Sequence, residues 1–367
     1  MFNFDRSGSV GAGVIARAGC TDLARTGGEQ LESVFTSPHG PHLHYLILVF
    51  LLGAILAPSL SAQQGQPLHP KYTVQFFQLQ VENQDQRMAY RDVQPTGASK
   101  GKSVLLLHGK NFSGFYWEPT IEFLAQQGYR VIAPDQLGFG DSDIHYSFYQ
   151  MAGNTKALLD HLGIQQVCLI AHSMGGMLGV RFTLLFPATV EKLVLENPIG
   201  LEDYRKLVPY IPLQQQYAAE LSQTYEKMLD YQKSYYPGAW KPEYEVNVQD
   251  QARVLDTGEY PRDAWSAALT YEMIYEQPAV YELSEISRPA LLIIGQDDRT
   301  VVGKSHLPPN LQSVAGQYPE LGRKAHAAIS GSTLVEIPGC GHIPHIQKPD
   351  QFRNAVVSFL AGGSSSR

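Results

Sequence analysis

From Lys71 onward the sequence alternates short apolar runs with longer segments of helical pattern. The runs at 104–107, 167–171 and 290–294 are apolar throughout, which is typical of strands buried on both faces. Strands that alternate with helices favour a mainly parallel sheet covered by helices on both sides. We therefore predict an α/β fold with eight strands, of which the first two, at 73–81 and 88–93, form a hairpin.

Length and composition exclude several function classes. The chain has 367 residues, 44% of them hydrophobic, which is enough for a large core in one domain or two. A net charge of −7 offers no basic surface for nucleic acid, so we expect no nucleic-acid partner. The three cysteines, Cys20, Cys168 and Cys340, lack Cys-x-x-Cys spacing, which argues against a zinc cluster or a disulfide scaffold.

Residues 1–62 differ in character from the rest of the chain. The uncharged apolar run Tyr45–Ala57 is shorter than the roughly 20 residues that a membrane-spanning helix needs. Small residues follow it up to Ala62, as at a signal-peptide cleavage site. We predict that residues 1–62 are an export signal removed near Ala62, leaving a periplasmic or secreted protein without a stable membrane span. A retained membrane anchor is the alternative.

The segment 171–176, Ala-His-Ser-Met-Gly-Gly, places a serine between a strand and a helix. Such a junction forces tight backbone geometry and puts the next N–H at a helix N-terminus, where partial positive charge collects. Gly175 would let the helix approach the strand, whereas Ala171 stands where glycine is more usual. The segment predicts that Ser173 is a nucleophile, although so short a pattern is not diagnostic alone.

A serine nucleophile needs an imidazole as base and a carboxylate to orient that imidazole. Two later strands end in suitable residues: 290–294 is followed by Asp297 and Asp298, and 333–337 is followed by His342. The carboxyl ends of parallel strands meet at one edge of the sheet. Taken singly, such residues are more often turn, cap or surface residues. Together, in the order serine, acid, histidine, they predict a catalytic triad.

Five segments together resemble the motifs of the α/β-hydrolase superfamily: 105–111, 133–142, 171–176, 295–298 and 341–342. The resemblance extends over residues 71–362 and implies the α/β-hydrolase fold. It identifies Ser173 as the nucleophile and His342 as the base. It also selects Asp298 over Asp297 as the acid, because the family's Gly-x-x-Asp spacing from Gly295 ends at Asp298.

The same resemblance implies an oxyanion hole formed by the backbone N–H groups of two residues, Lys110 and Met174. Six neighbouring residues are expected to line the substrate pocket: Asn111, Phe112, Phe115, Tyr116, Trp117 and His172.

The resemblance also implies a helical cap at 200–287, inserted between two parts of the hydrolase core, 63–199 and 288–367. The cap segment contains twelve tyrosines, together with Trp240 and Trp265. An aromatic lid over a polar triad would favour an apolar or aromatic small-molecule substrate. The alternative is that most of these rings only pack the cap helices together. The proline-containing segment 303–323 is either a loop at the pocket rim or surface decoration.

The predicted function is hydrolysis of an ester-like substrate by a serine triad through an acyl-enzyme, with no metal or organic cofactor. Carbon–carbon bond hydrolases, lactonases and perhydrolases use the same triad and stay open as alternatives. The glycine-proline signature of dienone hydrolases is absent after His108-Gly109, which disfavours the first of these. Serine at 173 argues against dehalogenase or epoxide hydrolase chemistry, which uses a carboxylate nucleophile. A noncatalytic small-molecule-binding protein is a remote alternative.

Overall fold

The computed structural model describes residues 70–81, 83–140, 142 and 147–362. The predicted export signal at 1–62 lies outside these residues. Within them, eight strands form one sheet: β1 (Gln75–Val81), β2 (Gln84–Val93), β3 (Ser103–Leu107), β4 (Arg130–Pro134), β5 (Val167–His172), β6 (Val190–Glu196), β7 (Ala290–Gly295) and β8 (Thr333–Ile337).

The strand order across the sheet is β1-β2-β4-β3-β5-β6-β7-β8. β1 and β2 form the predicted hairpin, and β2 also runs antiparallel to β4. All other neighbouring pairs are parallel. The predicted fold class is therefore confirmed, and the carboxyl ends of the parallel strands lie along one edge of the sheet.

Two hydrophobic cores lie on opposite faces of this sheet. Successive side chains of a strand point to opposite faces, and β3 follows this rule: Val104 and Leu106 belong to one core, whereas Leu105 and Leu107 belong to the other. All four are fully buried. A strand buried on both faces has no need for polar alternation, which explains the uninterrupted apolar runs in the sequence.

The described residues contain ten α-helices: α1 (Glu118–Gln126), α2 (Phe148–His161), α3 (Met174–Leu185), α4 (Leu213–Leu221), α5 (Tyr225–Lys233), α6 (Glu245–Ala252), α7 (Tyr260–Glu276), α8 (Tyr318–Ala328), α9 (Pro344–Gln347) and α10 (Pro349–Ala361). Side chains of α1 and α10 contribute to one core, and those of α2, α3 and α8 to the other. None of these helices has the length and apolar character that crossing a membrane requires.

The segment between β6 and β7, here named the insertion, carries α4 to α7. It contacts the sheet-bearing part of the chain at several points. The Ser113 hydroxyl donates to the Asp250 carboxylate at 3.0 Å, and the Ser266 hydroxyl donates to the Gly138 carbonyl at 2.7 Å. These bonds hold α6 and α7 of the insertion against the loops that follow β3 and β4.

A buried ion pair supports the turn that follows β3. Arg91 on β2 contacts the Asp135 carboxylate at 3.0 Å, and both side chains are almost fully buried. Asp135 also accepts the N–H of Gly114 at 2.6 Å. The motif at 133–142 thus fixes the short helical turn Gly114–Trp117, which lies next to the Lys110 loop.

Candidate active site

Ser173 occupies a sharp turn between β5 and α3. Its backbone has φ 56° and ψ −119°, a conformation with positive φ that non-glycine residues seldom adopt. The turn is held on both sides, because the Ser173 N–H donates to the Glu196 carbonyl at 3.1 Å and the Ser173 carbonyl accepts the Ile199 N–H at 3.1 Å. The strained backbone therefore presents the serine side chain in one defined direction.

Small residues let helix α3 pack closely against the sheet. A Cβ on Gly175 would lie 2.4 Å from the Leu107 carbonyl oxygen, so a side chain has no room there. A Cβ on Gly179 would lie 2.9 Å from the methyl group of Ala171. The missing side chain at 179 thus explains how the chain tolerates alanine at 171, where a glycine is more usual.

His342 and Asp298 complete a continuous chain of hydrogen bonds with Ser173. His342 Nε2 lies 2.9 Å from Ser173 Oγ, and His342 Nδ1 lies 2.6 Å from Asp298 Oδ2. All three side chains are buried, with exposed fractions of 5% or less. Asp298 follows β7 and His342 follows β8, so neighbouring parallel strands bring the two residues to the edge where Ser173 lies.

Asp298 is held as a carboxylate by several donors. Burial alone would raise its pKa, but interaction with His342 and hydrogen bonds from Thr300 and Asn197 outweigh burial and lower the pKa below its ordinary value. The Asn197 amide donates to Oδ2 at 2.7 Å, and the Thr300 N–H donates to Oδ1 at 2.8 Å. The neighbouring Asp297 is exposed, so its position agrees with the preference for Asp298.

Met174 and Lys110, the predicted oxyanion donors, both lie close to Ser173. Met174 is the first residue of α3, and its N–H therefore has no partner within the helix. Lys110 follows Gly109, where an added Cβ would lie 3.4 Å from Ser173 Oγ. The carbonyl of the Gly109–Lys110 peptide accepts a hydrogen bond from His108 Nδ1 at 2.9 Å, which fixes the orientation of that peptide.

A cavity of about 580 Å³ opens in front of Ser173. Asn111 and Phe112 border it, as expected, but Phe115, Tyr116, Trp117 and His172 do not. The prediction that these four line the pocket is wrong. Trp117 and His172 are fully buried, and the Trp117 ring stacks on His345 with centroids 4.2 Å apart. The short turn at 114–117 directs Trp117 into the core.

Some of the aromatic side chains of the insertion border the cavity. Of its twelve tyrosines, four border the cavity, namely Tyr231, Tyr235, Tyr260 and Tyr271, and neither Trp240 nor Trp265 does so. The chain after Asp298 also contributes, since Thr300, Val302, Gly303 and His306 border the same cavity. The other rings of the insertion pack elsewhere, as in the stack of Tyr236 on Tyr244 at 4.3 Å.

Tyr235 contacts the imidazole of the site directly. Its ring stacks on His342 with centroids 4.8 Å apart and planes at 27°, and its carbonyl accepts the His342 N–H at 2.8 Å. The insertion therefore supplies a contact to His342 itself. This contact could not be predicted from the sequence, because nothing local distinguishes Tyr235 from the eleven other tyrosines.

A second acid–histidine pair, Glu196 and His345, lies buried near His172 and His342. The Glu196 carboxylate accepts the backbone N–H of His345 at 2.7 Å and contacts His345 Nδ1 at 3.0 Å. Burial raises the pKa of Glu196 to about 7 and lowers that of His345 well below its ordinary value. Neither residue borders the cavity. In the described residues no group of three or more histidine, cysteine or acidic side chains is placed to hold a metal ion.

The model of the alpha/beta hydrolase family matches residues 104–355, more than half of the chain. The chain belongs to the α/β hydrolase family. This α/β hydrolase is similar to a solved structure described as a probable hydrolytic enzyme from Pseudomonas aeruginosa PAO1. The two share 44% sequence identity with a TM-score of 0.78, over 80% of this chain and 96% of the other.

Two curated relatives extend the comparison. The α/β hydrolase is 29% identical over 280 residues to 2-hydroxy-6-oxo-6-(2'-aminophenyl)hexa-2,4-dienoic acid hydrolase of Metapseudomonas resinovorans, covering 72% of this chain and 86% of that protein. It is 41% identical over 99 residues to epoxide hydrolase 2 of Siraitia grosvenorii, but this match spans only 31% of that protein's length. The chain is thus a hydrolase of this family, and its relatives act on different small molecules.

Proposed function

We propose that this α/β hydrolase is a serine hydrolase that cleaves an ester-like bond of a small molecule through an acyl-enzyme. One observation carries the proposal: the hydrogen-bonded series Asp298, His342 and Ser173 at the wall of a cavity. Nucleophile, base and carboxylate are each within hydrogen-bonding distance of the next, which is the arrangement that activates a serine hydroxyl.

The first half of the reaction forms the acyl-enzyme. Asp298 accepts the Nδ1–H of His342, so Nε2 is free to take the proton of Ser173 as Oγ attacks the substrate carbonyl. The N–H groups of Lys110 and Met174 donate to the oxyanion that develops. Each such donor contributes roughly a hundredfold to a thousandfold in rate. His342 then transfers its proton to the leaving group, and the bond between the carbonyl carbon and that group breaks.

The second half releases the acid. Water takes the place of the leaving group and gives a proton to His342 Nε2 as its oxygen attacks the acyl carbon. The tetrahedral intermediate collapses, Ser173 Oγ leaves, and it recovers its proton from His342. The same two backbone donors stabilise the oxyanion in this half, so one arrangement of the site serves both steps.

The cavity supports an apolar or aromatic acyl or alcohol portion in the substrate. Its volume of about 580 Å³ lies within the range of small-molecule sites, roughly 300 to 1,000 Å³. Apolar side chains border it, among them Phe112, Ile199, Met228 and Val302, and charged side chains such as Glu220 and Arg253 border it as well. We propose that residues 200–287 act as a cap over this site and set the substrate preference. Tyr231→Ala should then change which ester is turned over fastest.

A panel of p-nitrophenyl esters with short, long and aromatic acyl groups tests the proposed function. The wild-type protein should hydrolyse at least one of them, and Ser173→Ala should reduce kcat to the background rate. Ser358→Ala is a matched control, because Ser358 is exposed on α10 and does not border the cavity. It should keep most of the activity. Equal rates for wild type and Ser173→Ala would exclude the proposed mechanism.

Carbon–carbon bond hydrolysis is the second candidate. The observation in its favour is that relatives named as dienoic acid hydrolases match 72% of this chain at 27% to 29% identity. Turnover of a 2-hydroxy-6-oxo-hexadienoate with kcat/KM far above that of every ester would favour this candidate. Serine dependence would be retained in both cases, so the substrate ranking decides between them.

We further propose that residues 1–62 are an export signal removed near Ala62. The supporting features are the apolar run Tyr45–Ala57 and the small residues after it. Intact-mass analysis of protein recovered from outside the cytoplasm should give an N-terminus near residue 63. A recovered protein that still contains Tyr45–Ala57 would favour the membrane-anchored alternative instead.

A further inference from the structure

Tyr116 and His172 lie directly behind the triad, on the side away from the cavity. Tyr116 is 3% exposed and His172 is fully buried. The His172 ring is 4.9 Å from that of His342, centroid to centroid, and neither residue borders the cavity. Two polar side chains at this depth need hydrogen-bond partners, because leaving them unpaired costs stability.

Their partners form one continuous bridge. The Gly109 N–H donates to Tyr116 Oη at 3.1 Å, and Tyr116 Oη lies 3.1 Å from His172 Nδ1. His172 Nε2 lies 2.9 Å from the His342 carbonyl oxygen. A backbone N–H can only donate and a carbonyl can only accept. His172 therefore carries its proton on Nε2 and donates it to the carbonyl, while the Tyr116 hydroxyl donates to Nδ1.

The two ends of the bridge are the two loops that must act together in catalysis. Gly109 immediately precedes Lys110, whose N–H is a proposed oxyanion donor. The other end is the backbone of His342, the proposed base. The peptide between Gly109 and Lys110 is also held at its carbonyl oxygen, which accepts a hydrogen bond from His108 Nδ1. Donor and base must keep their relative position to within about 0.5 Å for efficient catalysis.

We propose that Tyr116 and His172 are positioning residues that fix the oxyanion loop relative to His342. This inference rests on the proposed serine hydrolase function. Neither side chain reaches the cavity, so both act through the groups that they hold. The bridge would explain why a histidine stands directly before Ser173 and yet points away from the substrate.

The electrostatic environment keeps the bridge in one protonation state. Burial lowers the pKa of His172 to about 3 and raises the pKa of Tyr116 well above its ordinary value. Both groups are therefore neutral near neutral pH. A protonated His172 could not accept the Tyr116 hydroxyl, so neutrality is what the observed hydrogen bonds require.

Tyr116→Phe tests the bridge with a minimal change, the loss of one hydroxyl. We expect kcat for p-nitrophenyl butyrate to fall by about tenfold to a hundredfold, because a 1 Å misplacement can cost about a hundredfold. KM should change by less than about threefold, since no group that contacts the substrate is altered. Tyr129→Phe, at a buried tyrosine of the same core, is the matched control and should keep both constants.

Inhibitor binding separates positioning from general packing. Butyl trifluoromethyl ketone forms a tetrahedral adduct with a serine oxygen and places an oxyanion in the hole, whereas butyl methyl ketone binds mainly as the ketone. Tyr116→Phe should weaken the trifluoromethyl ketone by about the same factor as kcat and leave the methyl ketone unchanged. A purely structural role would weaken both ketones alike.

Variants at His172 test the other half of the bridge. Gln can place an amide nitrogen near Nε2 and keep the donor to His342, whereas Asn can only place an oxygen near Nδ1 and keep the acceptor for Tyr116. We expect His172→Leu to lose the most activity and His172→Gln to recover part of it. Adding Tyr116→Phe to His172→Leu should cost little more, because both changes break the same bridge.

The outcomes distinguish this inference from the function on which it rests. If wild type fails to hydrolyse any ester, or if Ser173→Ala is as active as wild type, the proposed function fails and the bridge falls with it. If wild type is active but Tyr116→Phe keeps its kcat and its ratio of ketone affinities, only the bridge is refuted. Should His172→Leu not fold, Tyr116→Phe and His172→Gln still decide the question.

Discussion

Asp298→Asn is the substitution for which the structure makes the sharpest prediction. It replaces the carboxylate with an amide of the same shape, yet neither orientation of that amide suits its neighbours. With the amide nitrogen at the Oδ2 position, two donors meet, because the Asn197 amide points there at 2.7 Å. Asn197 cannot simply turn over, since its own oxygen accepts the Gly295 N–H at 2.9 Å. With the nitrogen at Oδ1, it faces the Thr300 N–H instead.

The catalytic cost follows from the proton on His342. With the amide nitrogen at the Oδ2 position, His342 would carry its proton on Nε2 and could not accept a proton from Ser173. With the nitrogen at the Oδ1 position, the productive tautomer is kept, but the negative charge that stabilises the imidazolium is lost. The corresponding change in chymotrypsin-like proteases lowers kcat about ten-thousandfold. At 1.36 kcal/mol for each tenfold change, this is roughly 5 kcal/mol of transition-state stabilisation. The lost charge-assisted hydrogen bonds should also lower the free energy of unfolding by about 1–3 kcal/mol.

Stopped-flow measurement of ester hydrolysis gives the change in kcat, and unfolding in urea gives the change in the free energy of unfolding. Asp297→Asn is the matched control, because the neighbouring carboxylate is exposed, and it should change kcat by less than about twofold. The pKa of Asp298 is lowered by the fold, so its stabilising effect is present above the ordinary pKa of 3.8 and is lost as pH falls. The stability gap between wild type and Asp298→Asn should therefore narrow in acid. Full activity in Asp298→Asn would refute the assigned acid.

Three further predictions concern groups around Ser173, Asp298 and His342. Burial raises the pKa of Glu196 from 4.5 to about 7. The contribution of Glu196 to stability is therefore fully present below pH 4.5 and is lost as the pH rises through 7. In calorimetry, the Tm of Glu196→Gln should fall less between about pH 5 and 8 than the Tm of wild type. Equal slopes of Tm against pH in the two proteins would contradict this. Tyr235→Leu should lower kcat/KM by about threefold to tenfold because it removes the ring stacked on His342. Tyr235→Phe keeps a ring at this position and should not lower kcat/KM. Equal losses in the two variants would contradict the role of the ring. Glu220→Gln removes the partly buried ion pair to Lys110, 3.4 Å in length, and should change kcat/KM by less than about fivefold, because the pair involves the Lys110 side chain and not its backbone N–H. A larger loss would contradict a role confined to that side chain.

The sequence predicted the parts of the molecule that follow local patterns. Strands such as β3 and β7 could be predicted because burial on both faces leaves an apolar run that ends in turn residues. The ends of these strands then predicted where Ser173, Asp298 and His342 would meet, since parallel strands share one carboxyl edge. The structure brings these three side chains together.

Contacts between distant segments and side-chain directions could not be predicted in the same way. Trp117 and His172 stand next to residues at the site, but the backbone turns their side chains into the core behind it. The contact of Tyr235 with His342 joins residues more than a hundred positions apart and depends on how the insertion folds. Glu196 reads as the last residue of a strand, and only the packing of α9 shows its carboxylate paired with His345.

We propose above all that Ser173 is an activated nucleophile. Reaction with a fluorophosphonate followed by intact-mass and peptide analysis tests this proposal, because only an activated serine reacts quickly with this probe. We expect one adduct per chain, located on the peptide that contains Ser173. We also expect no adduct in Ser173→Ala and much slower labelling in His342→Ala. An adduct that persists in Ser173→Ala, or a wild-type protein that does not react, would contradict it.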